Sequence, residues 1–376
     1  MSNPKKARAL IVYPYLFHYR FGVFKALEER DDLDLVFVSD VEGRKGIAAT
    51  SPRLFKEHHR VKTITRSRFT WQVGLLYFVA TQKYDSVIFH GDVWSISTWV
   101  AAAIARLRQR RVFFWTIGWH RPDPAVIAQL RVSFYRLAHE LLVYGNTGRD
   151  IGILMGYPRS RMHVIYNSHE SSQQIAHEGQ DPVVQLTSHP ALTVGAVIRL
   201  TAIKRLDLLI DAVAHLARRG SSVRVILAGE GPERESLERL AARRGIDAVF
   251  TGAIYSKADL RSFYEAVDVT VVPAAAGLTV IQSLSQGVPV VTDDDEYGQM
   301  PEAEAVVEGV TGGRYRKGDV DELASTIMRV AAAVRRDPEA SASRARQEVE
   351  ARWTPAAQCA KINERIQAAA DRTGLV

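Results

Sequence analysis

Short apolar runs alternate with longer amphipathic stretches along most of the chain, the pattern of buried parallel strands joined by crossover helices. In the first half the strand-like runs are ALIV, DLVFV, SVIFH, RVFFWTI, LLVYG and MHVIY. Helical periodicity lies between them, over Phe24 to Arg30, Trp94 to Arg108 and Pro124 to His139. The first run, Ala9 to Val12, reads as a buried strand and not as the core of a signal peptide. It is short, it leads into Pro14, and no small-residue cleavage site follows. Residues 171–190 lose the periodicity and turn polar with two prolines, which predicts a linker.

Beyond the linker the alternation resumes with LTVGAVI, VRVILAG, AVFTG, VTVVPA and VPVVT. Helix candidates separate them at Ala202–Arg219, Pro232–Arg244, Lys257–Ala266 and Thr279–Gln286, and a helical tail runs from about Val320 to Ala370 with breaks near Asp337 and Pro355. Two successive series predict an α/β chain of two Rossmann-like, doubly wound domains facing each other across a cleft, followed by the tail. The expected boundaries are 1–175 for the first domain, 190–352 for the second and 353–376 for a last helix returning to the first. A length of 376 residues suits two cores better than one.

Charge adds an asymmetry to this picture. Residues 1–180 hold 25 Lys and Arg against 15 Asp and Glu, whereas the remainder holds 24 against 27. The first half is therefore expected to face something anionic, with peripheral contact at a membrane surface as one reading and simple solubility as another. Arg60–Tyr84 also has two readings. Its basic lead-in and its Trp71, Leu75, Leu76 and Phe78 at near-helical spacing suit either a membrane interface or a core face. No stretch approaches the roughly 20 apolar residues of a bilayer span, and the single Cys359 fits a reducing compartment. The expected location is cytoplasmic, at the inner face of the membrane if the contact exists. No nucleic-acid motif accompanies the basic charge, so nucleic acid is not an expected partner. Asp293-Asp294-Asp295 is an acidic run without a metal-ligand pattern around it, and no metal site is expected.

The chemistry concentrates in the second half. IRLTAIK places Arg199 just past a strand and Lys204 at the start of the next helix, where two cations can converge on one anion. GEGP ends a buried strand with Gly229-Glu230-Gly231 before Pro232, letting backbone approach a ligand. FTGAIYS, with Ile254, is a strand end that opens a pocket beside it. VVPAAAGLTVIQSLSQGVPVVT is a strand, a small-residue loop and a helix beginning near Gly277, whose first-turn amides suit a phosphate.

Together with PEAEAVVEGVTGGRYRKGDVDELA, these segments over about Val194 to Ile327 resemble the nucleotide-sugar domain of retaining glycosyltransferase family 4, the group 1 glycosyltransferases of GT-B fold. The resemblance implies a metal-independent hexosyltransferase that uses a nucleoside-diphosphate sugar as donor substrate and needs no cofactor. It assigns Arg199 and Lys204 to the donor diphosphate, where they stabilise charge on the leaving phosphate. It assigns Gly277, Leu278 and Thr279 to phosphate and sugar, and Gly229, Glu230, Gly231 and Ile254 to base and ribose. The family's two acids, with seven residues between them, fall on Ala274 and Gln282 here. Gln282 retains hydrogen-bonding capacity toward ribose; Ala274 offers nothing to a sugar hydroxyl, and the Thr279 hydroxyl is a candidate replacement.

In the first half, strand ends carry His18 and Arg20, His90 and Asp92, and His120. Relatives carry a histidine near the reacting sugar where His120 stands, which implies a catalytic or orienting role, and the other four are acceptor-side candidates. The expected function is transfer of a sugar, with retention, to a glycan or lipid-linked acceptor in surface polysaccharide or glycolipid assembly. The loss of both acids leaves a non-catalytic nucleotide- or glycan-binding protein of the same fold as the alternative.

Overall fold

The computed structural model describes residues 6–42, 50–168 and 192–372. The linker expected at 171–190 lies outside the described residues. The chain divides into two compact units, one formed by Met1–Glu170 with Thr354–Val376 and the other by Ser171–Trp353.

The first unit opens with β1 (Ala7–Tyr15), α1 (Phe21–Glu28), β2 (Leu33–Asp40) and β3 (His58–Arg60). A hairpin of β4 (Lys62–Arg66) and β5 (Phe69–Val73) leads to α2 (Leu75–Thr81). Regular alternation follows: β6 (Ser86–His90), α3 (Ile96–Leu107), β7 (Arg111–Thr116), α4 (Ala125–Tyr135), β8 (Glu140–Val143), α5 (Asn146–Leu154) and β9 (Met162–Val164). The main sheet has the order β3-β2-β1-β6-β7-β8-β9, and every pairing in it is parallel. β1 is longer than the four-residue apolar run because its parallel pairing with β2 already begins at Ala7.

In the second unit come β10 (Leu192–Val197), α6 (Leu206–Arg218), β11 (Val223–Ala228), α7 (Arg234–Arg244), β12 (Asp247–Gly252) and α8 (Lys257–Ala266). Then follow β13 (Val269–Val271), α9 (Leu278–Ser285), β14 (Val290–Asp293), β15 (Gly312–Tyr315), α10 (Val320–Arg336) and α11 (Pro338–Arg352). The sheet order is β12-β11-β10-β13-β14-β15, again wholly parallel. The tail breaks where its caps stand. Asp319 accepts the Glu322 amide to start α10, and Asp337 accepts the Ala340 amide to start α11, with Pro338 in its first turn. The last helix, α12 (Pro355–Arg372), belongs to the first unit.

The alternation along β1 explains why α12 is needed. Leu10 and Val12 join one apolar cluster with residues of α2, α3 and α4. Ala9, Ile11 and Tyr13 face the other side, where α1 supplies Val23, Phe24 and Leu27 and α12 supplies Cys359, Ile362, Ile366 and Ala369. Without α12 that face of the sheet would be half bare. Two polar anchors fix the helix. Gln358 accepts from the Ser168 hydroxyl at 2.7 Å and donates to the Tyr166 carbonyl, and Arg365 donates to the two Glu140 carboxylate oxygens from Nε at 2.9 Å and Nη2 at 3.2 Å. No helix among the described residues is long and apolar enough to cross a membrane.

Arg60–Tyr84 departs from the near-helical reading. Residues 62–73 form the β4–β5 hairpin, and helix starts only at Leu75, after Gly74 turns the chain at φ +90°. The alternating Thr63, Gln72 and Ser97 contacts favour an extended ribbon there: Thr63 donates to the Pro14 carbonyl, Gln72 to the Tyr13 carbonyl, and the Gln72 amide to Ser97.

Glu140, the first residue of β8, is buried. Burial alone would raise its pKa, but hydrogen bonds from His163 and Arg365 bring it down from 4.5 to about 2. A carboxylate with a depressed folded pKa contributes stability above its unfolded pKa and loses it as pH falls through the folded one. Arg365→Ala, by leaving Glu140 buried with fewer partners, is expected to cost about 3 kcal/mol at pH 7. Thermal unfolding against pH should show that difference shrinking from about pH 4.5 downward.

Candidate functional site

In the second unit the sheet order reverses beside β10, whose neighbours β11 and β13 lead their connections away in opposite directions. A crevice at the carboxyl ends of such strands follows from the topology. Three loops meet around the end of β10. The Gly229-Glu230-Gly231 turn lies flat against Ile198–Leu200: the Ile198 amide donates to Ala228 at 2.8 Å and the Leu200 amide to Glu230 at 3.0 Å. A Cβ on Gly229 would stand 1.8 Å from the Ile198 carbonyl oxygen, and one on Gly231 2.0 Å from that of Leu200. Only glycine lets the two backbones approach this closely. On the other side, the Thr279 hydroxyl donates to the Val197 carbonyl at 2.9 Å and fastens the start of α9 to β10.

The loop before α9 is held at three points. Lys204 Nζ donates to the Ala275 carbonyl at 2.5 Å, and the Ala276 amide donates to Gln299 Oε1 at 2.7 Å. Tyr315 donates to the Pro273 carbonyl at 2.9 Å, and Gln299 is itself tied to Thr292 at 2.9 Å. These contacts hold Ala275 at φ +49°, a left-handed conformation that costs an L-residue roughly 1 kcal/mol. Gly277 caps α9, and the amides of Leu278 and Thr279 precede the first intrahelical bond. Buried Glu302 sits beneath this turn, 4.0 Å from where a Cβ on Gly277 would be. Burial pulls the Lys204 pKa down, and Glu302 opposes the shift. With one proton given to Ala275, the ammonium keeps two donors for an anion. Arg199, one residue past Ile198, is exposed. The ensemble offers cations, a helix terminus and close backbone to a ligand carrying negative charge.

The first unit repeats the topology. Its order reverses beside β1, and a cavity of about 450 Å³ opens where β1, β6 and β7 end. Arg20, His90, Asp92 and His120 line it together with Arg131 and Tyr144. Arg20 is buried among aromatic rings, its guanidinium carbon 4.8 Å from the Tyr144 centroid and 5.4 Å from that of Trp115. Two of the lining residues carry buried nitrogens with no hydrogen-bond partner among the described residues, Arg20 Nη1 and His90 Nδ1. Burial lowers the His90 pKa to about 4 against the pull of Asp92. His120 stands at the rim with much of its ring exposed; partial burial and then Arg131 and Arg121 lower its pKa. Both shifts favour the neutral imidazole, which can donate and accept hydrogen bonds.

Residues 191–333 match the family of glycosyl transferases group 1. A stretch of 96 residues is 38% identical to the GDP-mannose-dependent alpha-(1-6)-phosphatidylinositol dimannoside mannosyltransferase of Mycobacterium tuberculosis. Another of 100 residues is 30% identical to the alpha-D-kanosaminyltransferase of Streptomyces kanamyceticus. Each match spans about a quarter of this chain and about a quarter of the relative. The crystal structure of Anabaena HepE with UDP-glucose superposes with a TM-score of 0.68 at 18% identity, covering 96% of this chain and 99% of that one. The fold is that of the GT-B glycosyltransferases.

In this GT-B chain the sequence-derived candidates fall into distinct groups. Arg199, Lys204, Gly229, Gly231, Gly277, Leu278 and Thr279 gather around the end of β10. Lys204 is not at the start of α6 but in a separate 3-10 turn, Ala202–Lys204, because Arg205 at φ +48° interrupts the helix. Glu230 is turned toward Arg234, 2.5 Å away. Ile254 packs against the apolar cluster of β11 and α8. Gln282 accepts from the Tyr264 hydroxyl at 3.3 Å and lines a cavity with Lys257 and Arg261 of α8. The Thr279 hydroxyl gives its proton to Val197, so its donor capacity is spent on the fold. His18 is exposed and lies outside the lining of the first-unit cavity. Asp293 accepts from Gln299 and Asp295 pairs with Lys317; among the described residues no group of three or more acidic, His or Cys side chains is placed to hold a metal ion.

Sequence reasoning missed Gln299, Glu302 and Tyr315. The Pro-Glu pair opening PEAEAVVEGVTGG was the one available signal, and it marks Glu302. Gly231→Ala tests the close approach of backbone: its Cβ must displace the Leu200 carbonyl, and a loss of at least about 2 kcal/mol is expected. Calorimetry should show it as a drop of roughly 4–8 °C in the melting of the second unit.

Proposed function

We propose that this chain is a retaining glycosyltransferase of family 4 type, moving a sugar from a nucleoside diphosphate to the hydroxyl of a glycan or lipid-linked acceptor. The observation that carries the reading is the convergence of Lys204, Arg199 and the α9 N-terminus around one strand end, inside the segment that matches the glycosyl transferases group 1 family. As the sugar leaves, charge builds on the departing phosphate. Preorganised cations and amides stabilise that charge more in the transition state than in the ground state. Arg199 and Lys204 supply the positive charge that a metal ion would otherwise bring, so the proposed reaction uses neither metal nor cofactor. Retention follows if the acceptor attacks the face from which the phosphate departs.

The first-unit cavity is the proposed acceptor site. Its neutral His90 and His120 suit contacts with sugar hydroxyls, and Asp92 is available to a hydroxyl proton. The buried Arg20 guanidinium adds a donor with an unmet hydrogen bond, which favours an oxygen-rich or anionic acceptor. The mannosyltransferase relative's name specifies a phosphatidylinositol dimannoside; a lipid-borne acceptor, met at the cytoplasmic face of a membrane during surface polysaccharide or glycolipid assembly, is the corresponding proposal here.

Ala274 supports a second reading, a nucleotide-binding protein without turnover, since Thr279 has committed its hydroxyl proton to Val197. A panel of UDP-, GDP- and dTDP-sugars with glycan and lipid acceptors separates the two. The expected result is a glycoside that keeps the donor's anomeric configuration, seen by NMR. Lys204→Ala and Arg199→Ala should each lower turnover about 100- to 1,000-fold. Nucleotide binding with no glycoside from any pair would establish the second reading, and an inverted product would sink retention.

A further inference from the structure

The β4–β5 hairpin is patterned inside out. In a ribbon packed on a protein body, apolar side chains ordinarily point inward and polar ones to water. Here Thr63 and Gln72 point inward and bond the Pro14 and Tyr13 carbonyls. The cross-strand pairs on the opposite face are Lys62 with Val73, Ile64 with Trp71 and Arg66 with Phe69. Ile64, Phe69, Trp71 and Val73 are each between 38% and 49% exposed, and Tyr77 of the adjoining α2 is 74% exposed. Contiguous aromatic and aliphatic side chains facing water mark a surface that meets a partner.

We infer that this face docks on an anionic lipid bilayer. The composition is that of a membrane interface, with tryptophan, phenylalanine and isoleucine rimmed by cations. Lys62, Arg66 and Arg68 surround the apolar patch, and among the described residues none of them makes an ion pair. A second copy of the chain is disfavoured, since two-fold pairing of this face would bring its cations against each other. An anionic headgroup layer satisfies cations and apolar side chains together.

The hairpin also adjoins the first-unit cavity. The Thr70 amide donates to the Trp94 carbonyl at 3.0 Å. Arg68 lies 4.0 Å from the Trp94 ring centroid, and Trp94 lines the cavity with His90 and His120. Docking would place a lipid-borne acceptor beside that opening. This link rests on the acceptor reading above, whereas the docking itself is measured without turnover.

The test is sedimentation of the full chain with phosphatidylcholine vesicles and with vesicles containing about a third phosphatidylglycerol. Binding to the anionic vesicles, weakened in high salt, is the expected result. Phe69→Ser with Trp71→Ser should reduce partitioning at least about tenfold, and Lys62→Gln with Arg66→Gln about fivefold per charge removed. Tyr255→Ser, at an exposed aromatic of the second unit, should leave it unchanged. Unfolding temperature and UDP or GDP binding check that each variant remains folded. No binding by the unmodified chain, or equal binding by the Phe69/Trp71 variant, would overturn the inference. Self-association abolished by the same substitutions would assign the face to a second copy instead.

Discussion

The organising constraint is the reversal of strand order beside the first strand of each sheet. β10 pairs with β11 on one side and β13 on the other, and β1 with β2 and β6. Right-handed crossovers then carry the connections from the two neighbours to opposite faces, so the strand end between them is left open. Lys204, Arg199 and the start of α9 stand at one of these openings, and Arg20, His90, Asp92 and His120 at the other. The apolar alternation that buries the strands therefore also decides where chemistry can occur.

At the second opening, rigidity comes from side chains that bond the loop backbone. Ala275 in a left-handed conformation persists because Lys204, Gln299 and Tyr315 hold the loop around it. Thr279 binds α9 to β10. Lys204 thus serves the fold and remains able to bind an anion, and Glu302 moderates the effect of burying its charge. A site so braced presents its amides without reorganisation, the condition for strong electrostatic stabilisation of a developing phosphate charge.

The strands and the three-part tail were legible because their signals are local: continuous apolar runs, Asp caps and Pro at a first turn. The glycines at 229 and 231 and the start of α9 were legible for the same reason. The hairpin was missed because Trp71 was grouped with Leu75, Leu76 and Phe78 as one helical face, although Phe69, Trp71 and Val73 alternate with Thr70 and Gln72 as in a strand. That its apolar face turns outward is set by the inward bonds of Thr63 and Gln72, which no spacing shows. Gln299 and Tyr315 were invisible for another reason. They act on loop backbone 23 and 42 residues away, through bonds that no spacing rule encodes. The Arg20, His90, Asp92 and His120 candidates were found singly; the topology that unites them and excludes His18 became clear only from the order of the sheet.

The β10 opening is the proposed seat of a diphosphate, held on Lys204, Arg199 and the start of α9. A crystal structure of the full chain with bound UDP or GDP tests it most directly. The β-phosphate is expected against the amides of Gly277, Leu278 and Thr279, within hydrogen-bonding distance of Lys204 Nζ and of the Arg199 guanidinium. A diphosphate bound instead in the Gln282 cavity beside α8, or in the first unit among Arg20 and Arg131, would contradict it.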